Sequence, residues 1–374
     1  MRIAVVTESF PPDINGVAHC AQQTVRHLVR RGHDVLVVAP AAPQGASEGP
    51  PPPCRVVRLP AVSLPGYPQV RLALPSRRLA AELSAHRAEL VHLASPFVLG
   101  ARGAAVATRL GIPSVAVYQT DLGSYARTYM GAGEALAWRR IRTVHTAAAV
   151  TLAPSSAAMA LLAGHGVPRV RMWPRGVDSH RFHPARRDEE LRRGLAGGAG
   201  TLVGYVGRLA PEKHVELMSL AARLPDVRVV VAGDGPSAPA LRESVPGARF
   251  LGMRTGDELA RIYASLDMFV HTGPFETFCQ TVQEAMASGV PVIAPAAGGP
   301  LDLVAHERTG LLVPPMDAGA VRDAVQRLTD APELRAEFGR AGRAAVAART
   351  WEAVGDQLIG CYEEVLARRT AVAA

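Results

Sequence analysis

The sequence predicts an α/β protein built as two doubly wound parallel-sheet domains in tandem. Short apolar runs such as "IAVVT" (3–7) alternate with helix-period segments along the chain, the pattern of parallel sheets covered on both faces. That alternation halts at "MWPRGVDSHRFHP" (172–184), where Pro, Gly and His break both periods, and then restarts. At 374 residues, 48% of them apolar, the chain is long enough for two domains that each bury a core.

In the first half, strand 3–7 is followed by the loop "ESFPPDINGV" and an amphipathic helix from about Ala18 to Arg31. Gly32 ends that helix and "DVLVVAP" (34–40) is the second strand, as a glycine C-cap before an apolar run implies. The stretch "APQGASEGPPPP" (42–53) is too rich in proline for either regular structure and is read as a surface loop. Further strands are expected at 90–94, 114–120 and 149–154. In the second half they are expected at 202–207, 227–235, 248–252, 267–273, 290–295 and 310–314. The domains are therefore drawn as 1–175 and 176–350. In tandem doubly wound domains, ligands bind at the carboxyl edges of the sheets.

Composition narrows the function. Cys20, Cys54, Cys279 and Cys361 form no C-x-x-C pair, which argues against a zinc framework or disulfides and fits a reducing compartment. "MRIAVVTESF" lacks the basic start and apolar core of a signal peptide, and no 18-residue apolar run exists. A cytoplasmic protein is expected. Residues 1–175 carry 19 Arg against 8 Asp plus Glu, a net charge of +11, while the remainder carries −3. No nucleic-acid motif accompanies that basic half. An anionic membrane surface at the cytoplasmic leaflet is the expected partner, with a merely solvated arginine surface as the alternative.

Of 41 lysines and arginines only Lys213 is lysine, in "GRLAPEKHVE" (207–216). Arg208 and Lys213 follow a strand's carboxyl end. A guanidinium fork and a compact ammonium beside glycine-supplied N–H groups suit a diphosphate. "GDGPSA" (233–238) matches a dinucleotide fingerprint but lacks the acidic residue that would hold a ribose, so a tight turn into a helix is expected. In "HTGPFETFCQTVQEAMASGVPVIAPAAGGP" (271–300), Glu276 and Glu284 stand eight apart astride a helix start. Eight helical residues rise ~12 Å, near the reach from a ribose across a diphosphate to a sugar. Glu284, expected two turns inside the helix, would meet ribose hydroxyls. Glu276 would face the sugar, and the N–H groups of Phe278, Cys279 and Gln280 would point at oxygens.

"GRLAPEKH", "PFETFCQTVQEAMASGVPVIA" and the "PPDINGV" loop resemble the retaining nucleotide-sugar-dependent glycosyltransferases of family GT4. The resemblance spans essentially the whole chain. It is strongest to the actinobacterial GDP-mannose-dependent α-mannosyltransferases, on "VHLASPFVLG", "YQTD" and "ETFCQTVQEAMASGVPVIAP". It implies the GT-B fold, two Rossmann-like domains facing each other across a cleft, with the helix from about 351–374 crossing back onto the first. The second domain would bind the donor and the first the acceptor. Arg208 and Lys213 would neutralise the departing diphosphate, Glu276 would position the sugar and stabilise its cationic transition state, and Glu284 would hold the ribose. Gly16 would admit the diphosphate to the backbone, Thr277 would add to the donor contacts, and Met253 would lie near the base.

Many relatives have histidine in a "YHT"-like segment where this chain reads Tyr118-Gln119-Thr120. Gln119 keeps hydrogen-bonding capacity but carries no proton at neutral pH, which makes Asp121 a residue to watch. No D-x-D pair occurs, so neither cofactor nor metal is expected and protein cations would do the neutralising. The acceptor side is expected near "SLPGYPQVRLALPSRRL" (63–79), with Arg71, Arg77 and Arg78 toward lipid phosphates or an acidic sugar. The resulting reading is α-mannosyl transfer from GDP-mannose to a lipid or lipid-linked acceptor, at the inner face of the plasma membrane. Its rivals are a UDP- or ADP-sugar donor with a soluble acceptor such as an aminocyclitol, a nucleotide-sugar epimerase, and a non-catalytic sugar-binding protein.

Overall fold

In a computed structural model the described residues are 1–13, 15–42, 51–64, 67–95, 97–119, 134–197 and 200–373. The chain divides into two compact units, Met1–Arg175 with Trp351–Ala374, and Gly176–Thr350.

The first unit runs β1 (Arg2–Val6), α1 (Gly16–Arg30), β2 (Asp34–Pro40), β3 (Arg55–Leu59), β4 (Ala61–Leu64), β5 (Tyr67–Ala73), α2 (Arg78–Ala85), β6 (Leu90–Leu93) and α3 (Val98–Arg109). It continues through β7 (Ser114–Val117), α4 (Glu134–Ala147), β8 (Val150–Ala153), α5 (Ser156–Gly164) and β9 (Val170–Met172). Parallel strands pair in the order β3-β2-β1-β6-β7-β8-β9, with β4 and β5 as a separate antiparallel hairpin. Strands β1, β2, β6, β7 and β8 are buried almost throughout, which is why they read as continuous apolar runs rather than alternating ones. Helix α1 begins where Asn15 Oδ1 accepts from the N–H groups of Val17 and Ala18 at 3.0 and 2.9 Å, two donors that no turn of the helix can satisfy. Its start at Gly16 is two residues earlier than periodicity alone suggests.

The second unit runs α6 (Glu189–Ala196), β10 (Thr201–Val206), β11 (Val227–Ala232), α7 (Ala238–Ser244), β12 (Arg249–Gly252), α8 (Gly256–Ser265), β13 (Met268–Val270) and α9 (Gln280–Ala287). It closes with β14 (Val292–Pro295), α10 (Pro300–Leu303), β15 (Gly310–Val313), α11 (Ala318–Asp330) and α12 (Pro332–Val346). Its sheet order is β12-β11-β10-β13-β14-β15, all parallel. Each sheet reverses its winding once, between β1 and β6 in the first unit and between β10 and β13 in the second. Those carboxyl ends are the crevices where open α/β sheets place their ligands.

The last helix, α13 (Trp351–Ala373), belongs to the first unit. Trp351, Val354, Leu358, Tyr362 and Val365 share one buried cluster with Ile3, Val5, Val25 and Leu28. Polar contacts fix its register. The Tyr362 hydroxyl and His92 Nδ1 are hydrogen-bonded at 2.6 Å, and Trp173 Nε1 donates to the Val354 carbonyl at 2.9 Å. Burial pushes His92 down to about 4, so this imidazole is neutral and adds no buried charge. Asp356 receives His27 Nε2 and Arg31 Nε, each at 2.8 Å.

Gly355 lies flat against His27: a Cβ there would fall 2.3 Å from the imidazole ring. Overpacking of this kind costs about 1–3 kcal/mol. Gly355→Ala should therefore lower the melting temperature, and calorimetry checks it.

Candidate active site

The loops leaving β10 and β13 stand at the switch point of the second unit and carry most of its chemistry. From β10 the chain passes through Gly207 and Arg208 into a 3-10 turn, Pro211–Lys213. Backbone bonds tie this loop to its neighbour: Gly207 N donates to the Ala232 carbonyl at 3.0 Å and Leu209 N to that of Asp234 at 2.9 Å. The approach is close enough to require glycine. At Gly233 and Gly235, with φ of 150° and 155°, a Cβ would fall 1.9 Å from the Gly207 oxygen and 2.3 Å from that of Leu209. The "GDG" stretch is thus a support for the Arg208 loop. The helix beyond it starts at Ala238, two residues after Pro236.

Lys213 and Glu276 meet in a direct ion pair, their side chains 21% and 19% exposed. At that depth the pair is less screened than a surface bridge. Both backbones are anchored. The Lys213 carbonyl accepts from Thr272 Oγ1 at 2.6 Å, and that of Glu276 accepts from Gly299 N at 2.8 Å. Arg208 donates to Glu212, whose side chain is 8% exposed. His271 lies within 3.5 Å of the Glu276 carboxylate, and its Nε2 is hydrogen-bonded to the Gly273 carbonyl at 3.1 Å. Burial holds this imidazole down to about 4, against the pull of Glu276, so it stays neutral at pH 7.

Glu276 precedes α9 and Glu284 is the fifth residue of that helix. The eight-residue separation is therefore not one helical stretch, and Glu284 sits one turn inside rather than two. The expected ~12 Å helical rise does not describe the spacing. Of Thr277, Phe278, Cys279 and Gln280, only Gln280 is helical. Cys279 is the N-cap with φ 78° and no side-chain cap, a left-handed conformation that costs a residue with a Cβ about 1–3 kcal/mol. Gln280 Nε2 donates to the Gly176 carbonyl at 3.1 Å. Burial raises the Glu284 carboxyl to about 7, opposed by hydrogen bonds from Tyr263 and Gln280 and by the charge of Arg181.

Among the described residues, His271, Glu276 and Cys279 are the one group that could offer a metal three ligand atoms, within 4.8 Å of one another. A cation there would compete with Lys213 for Glu276. It would also have to ionise a thiol that burial, then the Glu276 charge, push far up; a metal takes the thiolate, not the thiol.

In the first unit Gly16 is the first residue of α1, and a Cβ on it would fall 3.0 Å from Arg175 Nη1. Gln119 is buried. Its Nε2 donates to the Ala94 carbonyl at 2.8 Å and its Oε1 accepts from Arg175 Nη2 at 3.1 Å, so both ends of the amide have protein partners. Asp121 and Thr120 lie outside the described residues. Met253, after β12, is 52% exposed. Arg71 donates across the β4–β5 hairpin to the Ala61 carbonyl at 3.0 Å, Arg78 pairs with Glu82, and Arg77 is the exposed N-cap of α2.

Sequence reasoning passed over Glu212, His271, Arg175 and the pair Gly298–Gly299. A Cβ on Gly298 would fall 2.5 Å from the Glu276 oxygen, and one on Gly299 would fall 2.1 Å from that of Phe278. The adjacent glycines were a visible signal for that close approach. Arg175 and His271 gave none, because their importance is burial.

Known proteins resemble this chain throughout. The pattern described as Glycosyltransferase Family 4 matches residues 14–181 and that described as Glycosyl transferases group 1 matches 187–345. A GDP-mannose-dependent alpha-mannosyltransferase of Mycolicibacterium smegmatis is 48% identical, over 100% of both chains. One of Mycobacterium tuberculosis is 46% identical over 100% of this chain and 99% of its own. Among solved structures, Anabaena Alr3699/HepE in complex with UDP and glucose is similar with a TM-score of 0.78 at 20% identity, covering 97% of this chain and 99% of that one. At that identity the likeness speaks to fold.

The raised Glu284 carboxyl gives a sign. An acid whose folded value lies above its unfolded value stabilises the fold below about 4.5, and that contribution is lost as pH rises through about 7. Glu284→Gln should leave the donor-free melting temperature nearly unchanged at pH 5. At pH 8 it should raise stability by about 2–3 kcal/mol, as paired calorimetric scans would show.

Proposed function

The chain belongs to glycosyltransferase family 4, and from that membership we propose that it is a retaining α-mannosyltransferase. Its donor is GDP-mannose and its acceptor a hydroxyl on a lipid or lipid-linked glycan, with no metal on the diphosphate. The observation that carries the reading is the grouping at one switch point of two cations, Arg208 and Lys213, with the carboxylate Glu276. The relatives matched over essentially the whole chain, one on each side of 45% identity and named for GDP-mannose, support the donor.

In this reading the diphosphate takes the place of the protein carboxylates on the two cations. Arg208 offers a fork to two oxygens, and Lys213 a point charge to the oxygen that leaves. The bond between the mannose anomeric carbon and that phosphate oxygen breaks, with the electron pair going to the phosphate. The acceptor oxygen attacks the same face, and its proton passes to the departing phosphate. Glu276, released from Lys213, faces the positive charge that develops on the sugar, where a preorganised carboxylate acts most strongly. Glu284, one turn inside α9, accepts from ribose hydroxyls, and the first-turn N–H groups of α9 add their dipole. Thr277, Phe278 and Cys279 line the approach, Met253 flanks the base, and Gly16 leaves room at the start of α1. Gln119 acts through its neighbours, since both ends of its amide are already bonded.

No helix among the described residues is long and apolar enough to cross a membrane. A lipid acceptor would be met at an anionic leaflet, where the +11 charge of residues 1–175 favours peripheral docking on the cytoplasmic side.

Lys213→Met should lower kcat by about 100-fold to 1000-fold while the fold persists. Full-speed transfer by this variant, or activity abolished by EDTA and restored by magnesium, would sink the mechanism. A melting panel with GDP-, UDP- and ADP-mannose identifies the base, the true nucleotide giving the largest upward shift.

A further inference from the structure

Glu8 is a carboxylate for which the transfer reaction has found no task. It stands just beyond β1, at the switch point between β1 and β6, where an open α/β sheet holds its ligands. One of its oxygens is fully used. Oε1 accepts from the N–H groups of Leu99 and Gly100, the latter at 3.0 Å, and so caps α3, whose N-cap residue Phe97 makes no side-chain cap of its own. The other oxygen, Oε2, is closed off from solvent and has no hydrogen-bond partner among the described residues. The cap of α1 is built differently. Asn15 Oδ1 receives the first N–H groups of that helix, and its Nδ2 donates to Ser9 Oγ at 2.8 Å, so both ends of the side chain are bonded. The backbone around Glu8 is held in place: its N–H donates to Ser95 Oγ at 3.3 Å, and a Cβ on Gly100 would fall 1.7 Å from the Ser95 carbonyl oxygen.

We propose that Glu8 Oε2 receives a hydroxyl of the acceptor. The proposal deepens the acceptor half of the transfer reading and rests on it. A buried acceptor atom without a donor has given up its hydration for nothing, and protonation does not help, since the new O–H would then lack an acceptor. A ligand hydroxyl supplies the missing donor. It is not the hydroxyl that attacks the sugar, because that proton passes to the departing phosphate and a carboxylate in contact would compete for it. The acceptor therefore carries a second hydroxyl beside the reacting one: it is a polyol headgroup, a sugar or a cyclitol, rather than a plain alcohol. Because Oε2 is enclosed, the ligand reaches it only as its surroundings yield. Burial raises the Glu8 carboxyl to about 7, against the N–H groups of Gly100 and Leu99 and the charges of Arg102 on α3 and Arg140 on α4. A hydroxyl donor favours the ionised form, so acceptor binding strengthens as pH rises through about 7.

The test compares wild type with Glu8→Gln, whose amide oxygen still caps α3 while an NH2 group takes the place of Oε2. Mannosyl transfer from GDP-mannose is measured to octyl mannoside, octyl glucoside and octanol, and binding of the same probes is read as a melting shift with GDP present. Wild type should use an octyl glycoside and refuse octanol. In Glu8→Gln the acceptor KM should rise at least about tenfold, the loss of one hydrogen bond to a charged group, with donor KM and the melting shift by GDP unchanged. The wild-type acceptor KM should fall between pH 6 and pH 8, and that of the variant should stay level. Equal acceptor KM in the two proteins would overturn the proposal, as would octanol serving as well as the glycosides, or neither glycoside binding. Should the variant fail to fold, a level wild-type pH profile would overturn it alone. A protein inert toward GDP-mannose would sink the donor reading instead, and a glycoside melting shift lost in Glu8→Gln would still uphold Glu8.

Discussion

The contact between Lys213 and Glu276 is the constraint around which the second unit is arranged. It joins residues 63 positions apart, and each arrives by a separate device. Lys213 comes from β10 on a loop that can approach its neighbour only because Gly233 and Gly235 have no side chains. Glu276 comes from β13 on a loop clasped by Gly298 and Gly299. Thr272 then fastens the backbone of one loop to that of the other. An ammonium and a carboxylate brought together so deeply need one another, since either alone would face a desolvation penalty. A diphosphate is the kind of ligand that can separate them, because it supplies the negative charge Lys213 would lose.

The same logic extends to Arg208 and Glu212. Both cations rest on carboxylates, so the charges of these four side chains balance. The neutral state of His271, enforced by burial, keeps a third positive charge out of that balance. Glu284 is treated differently: its carboxyl is raised by burial, so the fold bears a cost when that group ionises near neutral pH. Strain at a binding site, offset elsewhere in the fold, is common where function sets the conformation.

Much of this was legible in the chain itself. The strands of both parallel sheets that are buried on two faces announced themselves as apolar runs, and β1, β2, β10 and β15 begin within one residue of where periodicity puts them. Strand β3, the β4–β5 hairpin and the three-residue β9 were not foreseen, because "RVVRL" and its neighbours mix charge and apolar residues on partly exposed edges. At the site, the lone lysine and the glutamate pair were visible as text. The start of α9 was not, since Cys279 occupies a left-handed position that sequence preference assigns to glycine. Arg175 and Gln119 could be read as polar residues, but their hydrogen bond joins positions 56 apart and leaves no local signal.

The arginine bias of the chain leaves a last consequence in Lys213. Apart from the amino terminus, its ε-amine is the one primary amine on the molecule, and it stands 21% exposed at the centre of the site. Any reagent or modifying enzyme that acylates lysine has nowhere else on the surface to go. Covalent chemistry at amines would therefore report on this position almost alone, and any ligand that drew the ammonium away from Glu276 would be written directly in its reactivity.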